Sequence, residues 1–437
     1  MTALAQKLAA FGIGAVAGDA PFDMMRLSLL DWAACGIAGR DEPVARITRG
    51  LALEDGGTAE ASVIGSPTRL PARAAALVNG AASHALDYDD THFAHIGHPS
   101  VAVIPAALAV AVAEGTRASG TDFLTAALLG VEASIRVGVW LGRAHYQTGF
   151  HQTATAGAFG ATIAAARLLG CDARQMTQAL GLVSTRAAGL KSQFGTMGKP
   201  YNAGIAAANG VEAALLAARG FVSNPAGIDG PQGFGPTHAG AADAGALDGL
   251  GTAWLFQTIS HKFHACCHGT HAMLEALAEF DCDPATITGL TVTTHPRWLS
   301  VCNIPAPETG LEAKFSYRMT AAMALLGHDT GAIANFTDAL CADPTVVALR
   351  DKVTVVADDS LAETAAQVDL TLVDGRVLTA RHDLNAPMAL DVRAAKLRHK
   401  AGALLGDDIA TRLWDVTTDA TGPDLAALGA LLRGDQA

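Results

Sequence analysis

A mainly α-helical fold, made of a large all-helical domain and a smaller α+β domain, is what this sequence predicts. Three observations carry that expectation. As far as about residue 255 the chain is rich in Ala, Leu and Val at helical spacing, broken by Gly, Pro and Asp. Beyond it, β-branched runs with partial alternation take over, and past residue 391 the helical spacing returns. At 437 residues the chain exceeds one core at roughly 100–200 residues per domain. The boundaries read from these shifts are 1–256 for the helical domain, completed by C-terminal helices in 392–437, and 257–391 for the α+β domain.

In chain order, PARAAALVNGAASHAL (71–86), DFLTAALLGVEASIRVGVWLG (122–142), TATAGAFGATIAAARLLG (153–170) and IAAANGVEAALLAARGF (205–221) each fit a helix of ordinary length. Their closely spaced Gly and Ala let helix backbones approach. NPAGIDGPQGFGP (224–236) reads as an ordered loop near a cleft. GLTVTTHPRWL, DKVTVVADD and AAQVDLTLVDGRVLTARHD read as strands, with Asp374-Gly375 as a two-residue hairpin turn. Helical stretches at 270–280 and 315–326 lie between them, and VRAAKLRHKAGALLG and DLAALGALLRG close the chain as helices.

Composition excludes several functions. A net charge of −12 argues against general affinity for nucleic acid or anionic membranes, which need a broad cationic face. The most apolar run, 101–113, contains Pro105 and is shorter than the roughly 18–20 residues of a membrane span. Seven cysteines, with Cys266 and Cys267 adjacent, do not form a disulfide framework and fit a reducing cytoplasm. The N-terminus only faintly resembles an export signal, because glycines break its apolar part.

The chemistry concentrates in a few windows. ALDYDDTHFAHIGHPS (85–100) and HKFHACCHGTH (261–271), together with His84, hold eight of the fifteen histidines. Metal binding is weighed and set aside: the cysteines are adjacent rather than spaced for zinc, and no HExxH occurs. Proton transfer uses the same residues without special geometry, since histidine titrates near neutral pH and a nearby aspartate fixes its tautomer. Asp87, Asp89 and Asp90 fall where a helix ends, and Pro99 holds His98 extended. LKSQFGTMGKPYNAG carries Lys191 and Lys199 in a Gly-rich loop before a helix, a natural anion site. HYQTGFHQT places His145, Tyr146 and His151 near the start of another helix.

Taken in order, ALDYDDT…HPS, GFHQT, GTMGKP, DGPQGF, HKFHACCHGTH and EAKFS resemble the MmgE/PrpD family of methylcitrate dehydratases, cis-aconitate decarboxylases and an iminodisuccinate epimerase. The resemblance covers nearly the whole chain. It implies a homodimer without metal or organic cofactor, a helical domain with an α+β lid, and a site between the two. Position by position it puts catalytic roles on Asp87, His98, His151, Lys199 and Lys262. Substrate contacts are expected of Thr91, Tyr146, Lys191, Cys267, His271, Ser316, Tyr317 and Arg318.

There are departures from the family pattern. The spacing from Thr91 to His98 is about one residue longer than in the decarboxylase branch. Met319 stands where many relatives have a tyrosine, the tyrosine here being Tyr317. HYxxGFH, KxxFGTMxKP and EAKFS are closer to the epimerase branch. The expectation is a cytoplasmic, cofactor-independent hydro-lyase acting on a small di- or tricarboxylate, with an epimerase of an imino- or amino-dicarboxylate and a decarboxylase as alternatives. His98 or His151 would move the proton and Asp87 would orient one of them, while Lys199 and Lys262, helped by Lys191 and Arg318, would hold carboxylates as charge builds.

Overall fold

The computed structural model describes residues 4–113 and 118–435. They divide into two compact units, Met1–His261 with Leu405–Ala437, and Lys262–Leu404.

The first unit is built around helices that are apolar on every side. Helix Gln152–Leu168 is buried from Gln152 through Ala166, and every residue of helix Ser100–Ala111 is buried, Pro105 included. All-round burial of this kind marks central helices rather than an amphipathic shell. Small residues let the layers close. A Cβ on Gly80 would lie 2.9 Å from the Cα of Gly204, and one on Gly204 would lie 2.3 Å from the Leu77 carbonyl oxygen. Helices Ala72–Ser83 and Gly198–Ala218 therefore touch backbone to backbone. Reciprocal caps start other helices, Ser119 with Asp122 ahead of Gly120–Thr148 and Asp172 with Gln175 ahead of Ala173–Val183.

Helix Gly120–Thr148 is long and apolar enough to cross a membrane, but 89% of its most apolar window is buried inside the protein. It also carries the buried Glu132–Arg136 ion pair, 2.7 Å.

The all-helical expectation for this unit needs a correction. Ala61–Val63 and Ser66–Leu70 form a small antiparallel ladder. Its backbone is completed by one buried side chain: Asn79 Oδ1 accepts from Ile64 N–H at 2.8 Å, and its Nδ2 donates to the Ser62 carbonyl at 2.9 Å. That partner comes from a neighbouring helix, so local sequence did not reveal the pairing.

The second unit holds a four-stranded sheet. Ile287–Thr294 pairs in parallel with Val353–Ala357 on one side and antiparallel with Ala365–Leu372 on the other, which pairs in turn with Val377–Asp383. The Asp374-Gly375 turn joins the last two strands, as the sequence expects. Along Ile287–Thr294 the residues Ile287, Leu290, Val292 and Thr294 are buried, a one-faced period of two over its second half.

Helix Leu390–Leu405, placed by sequence with the helical domain, lies in this unit up to Leu404. Its tethers explain why. Lys396 pairs with Glu275 and lies 5.1 Å from the Phe263 ring centroid, and His399 meets Asp329 at 3.0 Å. Helices Asp407–Thr418 and Leu425–Arg433 return to the first unit.

Candidate active site

Within the first unit, the close contact at Gly80 and Gly204 brings the loop leaving helix Ala72–Ser83 to the start of helix Gly198–Ala218. Asp87 on that loop has φ +51°, the left-handed region that aspartate tolerates better than most residues. Its carboxylate meets Lys199 Nζ at 2.7 Å and His98 Nε2 at 3.2 Å. The loop is pinned on its far side, where His98 N–H donates to the Thr153 hydroxyl at 3.0 Å. Its base is held by mutual backbone bonds between Thr91 and Ser260, 2.8 Å each.

A second carboxylate completes the arrangement. Asp89 accepts from His84 Nδ1 at 2.8 Å and faces His98 Nδ1 at 3.1 Å. The His98 imidazole thus lies between two carboxylates. Burial disfavours its charged form, but Asp89 and Asp87 together outweigh burial and raise its pKa above the ordinary histidine value. Burial likewise pushes Asp89 up, and the neighbouring His84 and His98 overcome it and hold the carboxyl ionised. The charged form of His98, a proton donor, is thus favoured over that of an ordinary histidine.

His151 behaves in the opposite way. Burial, reinforced by the charges of His84, Lys199 and His98, drives its pKa well below the histidine range, so it is neutral. Asn202 Nδ2 donates to the Leu190 carbonyl at 3.4 Å and to His151 Nδ1 at 3.3 Å, leaving the proton of His151 on Nε2. The loop carrying Leu190 is tied down where His151 N–H donates to Gly189 O at 3.0 Å and Lys191 N–H to Gly149 O at 2.8 Å. Phe194 from that loop packs edge-on against His151, ring centroids 4.9 Å apart, and lies 5.3 Å from Lys199 Nζ.

Burial also lowers the His84 pKa despite the raising effect of Asp89. With its Nδ1 proton given to Asp89, its buried Nε2 is an acceptor with no hydrogen-bond partner.

One donor atom from each of His84, Asp87, Asp89 and His98 lies within 4.8 Å of the others, the spacing of a metal site. The chemistry of this donor set fits a metal poorly. The Lys199 ammonium already pairs with Asp87, and the two carboxylates favour the protonated form of His98, which offers no lone pair.

Family models match both parts of the chain, the MmgE/PrpD N-terminal domain over residues 2–246 and the MmgE/PrpD C-terminal domain over 264–418. The chain belongs to the MmgE/PrpD family. It is 28% identical over 430 residues to the cis-aconitate decarboxylase of Homo sapiens, covering 93% of this chain and 89% of that protein. The Mus musculus cis-aconitate decarboxylase is 29% identical over 392 residues, 84% and 79% of the two chains. That of Aspergillus terreus is 31% identical over 277 residues, 59% and 56%.

For this MmgE/PrpD protein the first unit brings Asp87, His98, His151 and Lys199 together. Lys191 and Tyr146 form a separate pair: the Lys191 ammonium lies 3.8 Å from the Tyr146 ring centroid and donates to its carbonyl at 3.1 Å. Thr91 is spent on holding the loop, with its hydroxyl directed at Ser260 O, 3.2 Å.

In the second unit Lys262 is buried and Cys267 is partly exposed. His271 is buried with Nε2 at 3.3 Å from Cys266 O. Three residues expected to touch substrate hold structural hydrogen bonds. Ser316 caps helix Tyr317–Leu325 through Met319 N–H and donates to Ile304 O at 2.7 Å. Tyr317 is fully buried, donating to Gly269 O at 2.7 Å with Thr294 Oγ1 at 3.0 Å. Arg318 Nε donates to the Val353 carbonyl at 3.0 Å. A helix start next to a sheet uses the polar atoms these positions carry.

Sequence reasoning named Asp89 and His84 in the cluster but gave them no role, and it missed Asn202 and Phe194. Asp89 was legible only as one of three neighbouring aspartates. Of the four histidines in the 84–98 window, His92 bonds to Leu255 O and Thr258, and His95 to Ser134, so both are scaffold.

Proposed function

We propose that this protein is a cofactor-independent carboxy-lyase acting on a small unsaturated tricarboxylate of the cis-aconitate kind. The observation that carries the reading is the His98 imidazole set between the Asp87 and Asp89 carboxylates, beside the Lys199 ammonium. Relatives named cis-aconitate decarboxylase align along most of the chain, which supports the same class.

Decarboxylation needs stabilised negative charge and then a proton. A substrate carboxylate takes Asp87's place on Lys199, since the Asp87 side chain is 46% exposed and can give way. The C–C bond to the leaving carboxylate breaks, CO2 departs, and the electron pair spreads into the adjacent unsaturated acid, towards Lys199 and the His151 Nε2–H. The His98 proton then passes to carbon, and His98 is recharged from solvent beside Asp87.

The hydro-lyase expected from sequence is the second reading, because one observation favours it. Elimination of water needs a base for a carbon-bound proton, and His84 Nε2 is an unpartnered acceptor.

The reading includes the homodimer and cytoplasmic location that family resemblance implies. An apolar groove lined by Ile47, Leu51, Met197 and Tyr201, all exposed, supports a partner surface. Purified protein given cis-aconitate should release one CO2 per substrate consumed. Loss of water from methylcitrate or citrate without CO2 would refute decarboxylation in favour of the hydro-lyase.

A further inference from the structure

In the second unit two thiols face each other across a short gap. Cys302 donates its S–H to Cys267 Sγ at a sulfur–sulfur distance of 3.1 Å, although the residues lie 35 positions apart. Cys302 is buried and Cys267 is partly exposed. We propose that Cys267 and Cys302 form a reversible disulfide when the protein meets a hydroperoxide.

Both cysteines are placed by backbone bonds to one short segment. Cys267 N–H donates to Lys314 O at 2.9 Å, and Cys302 O accepts from Tyr317 N–H at 2.9 Å. Gly269 leaves room beside Cys302, since a Cβ there would lie 2.8 Å from Cys302 Sγ and 2.5 Å from the Trp298 ring. The sulfurs need to close by about 1 Å to reach a bonded length of roughly 2.05 Å.

The chemistry is asymmetric. Cys267 accepts the Cys302 S–H and is the more exposed of the two sulfurs, so it is the one that meets peroxide, attacking as its thiolate. The same hydrogen bond, with burial, holds the Cys302 thiol far above the ordinary range, so it stays protonated until needed. Cys267 sulfur attacks the peroxide O–O bond, giving Cys267 sulfenic acid and releasing the hydroperoxide's other oxygen as water from hydrogen peroxide or as an alcohol from an organic hydroperoxide. Cys302 sulfur then attacks the sulfenic sulfur. The sulfenic oxygen leaves as water with the Cys302 proton, and the two thiols have lost two electrons to one hydroperoxide. The bond would brace 265–270 to 300–304 through the segment 314–317.

The test is hydrogen peroxide on the reduced full-length protein, followed by alkylation, digestion without reductant and mass spectrometry. A peptide pair joining Cys267 to Cys302, lighter by two thiol hydrogens and abolished by dithiothreitol, is expected. Cys302→Ser should leave Cys267 as a sulfenic acid trapped by dimedone. The proposal is overturned if Cys267 is consumed while Cys302 stays fully alkylated, or if Cys267 pairs with Cys266 or with another chain. If the variant does not fold, the wild-type map alone decides. The readout is independent of any catalytic assay, so it stands or falls apart from the lyase reading.

Discussion

Replacing Lys199 with Met removes the ammonium and keeps most of the side-chain volume. A substrate carboxylate at ~4 Å from that ammonium gains about 4 kcal/mol at an effective dielectric of ~20. The Lys199 side chain is 18% exposed, so water screens part of this, and halving it leaves ~2 kcal/mol. At about 1.36 kcal/mol per decade, kcat/KM should fall roughly 30- to 1,000-fold. Stability should hardly move: the partner, Asp87, is 46% exposed, and such pairs contribute ~1 kcal/mol or less. The assay is steady-state CO2 release beside a thermal melt of the same preparation. A variant that keeps near-wild-type kcat/KM, or loses activity only in proportion to folded protein, would refute an electrostatic role for Lys199.

Other outcomes follow from the same geometry. The His98 pKa is raised, so its contribution to stability is full below the ordinary histidine value and is lost as pH rises through the raised one. Asp89→Asn should bring that loss, and the alkaline fall in activity, to lower pH, as urea titrations and pH–rate profiles would show. Burial, with Asp31 nearby, pushes the Asp90 carboxyl up to about 7, which costs stability as pH rises towards that value. Asp90→Asn, which can still accept from Ser100, should therefore stabilise the protein above neutrality, and an unchanged or reversed pH dependence in chemical melts would contradict this. Gly204→Ala forces a methyl against the Leu77 carbonyl and should cost about 1–3 kcal/mol in a urea melt. Tyr317→Phe should cost about 1–2 kcal/mol while leaving KM unchanged, whereas a raised KM would restore the substrate contact expected from sequence.

Local chemistry made much of this protein legible without a structure. Strand period, the Asp374-Gly375 turn and the helical spacing of 153–170 depend on neighbours a few residues away, and they appear where expected. The 85–100 window was legible as a site because its residue types already say proton transfer. The family resemblance put roles on Asp87 and His98, but the partnership of Asp89 and the scaffold work of His92 and His95 show only in the folded contacts.

The sequence by itself determined most of the elements, the family and the cast of ionisable groups, because each is written in residue type and short spacing, while the Ala61–Val63 and Ser66–Leu70 ladder is not. Only the tertiary structure decided which histidine favours its charged form. His98 is flanked by Asp87 and Asp89 while His151 sees burial and neighbouring cations, so the pKa values of two side chains of one chemistry shift in opposite directions. Tertiary contact likewise assigned helix Leu390–Leu405 to its unit and gave Ser316 and Tyr317 their structural partners, Ile304 O and Gly269 O. Burial and charge at a point depend on segments far apart in the chain, and no local pattern encodes them.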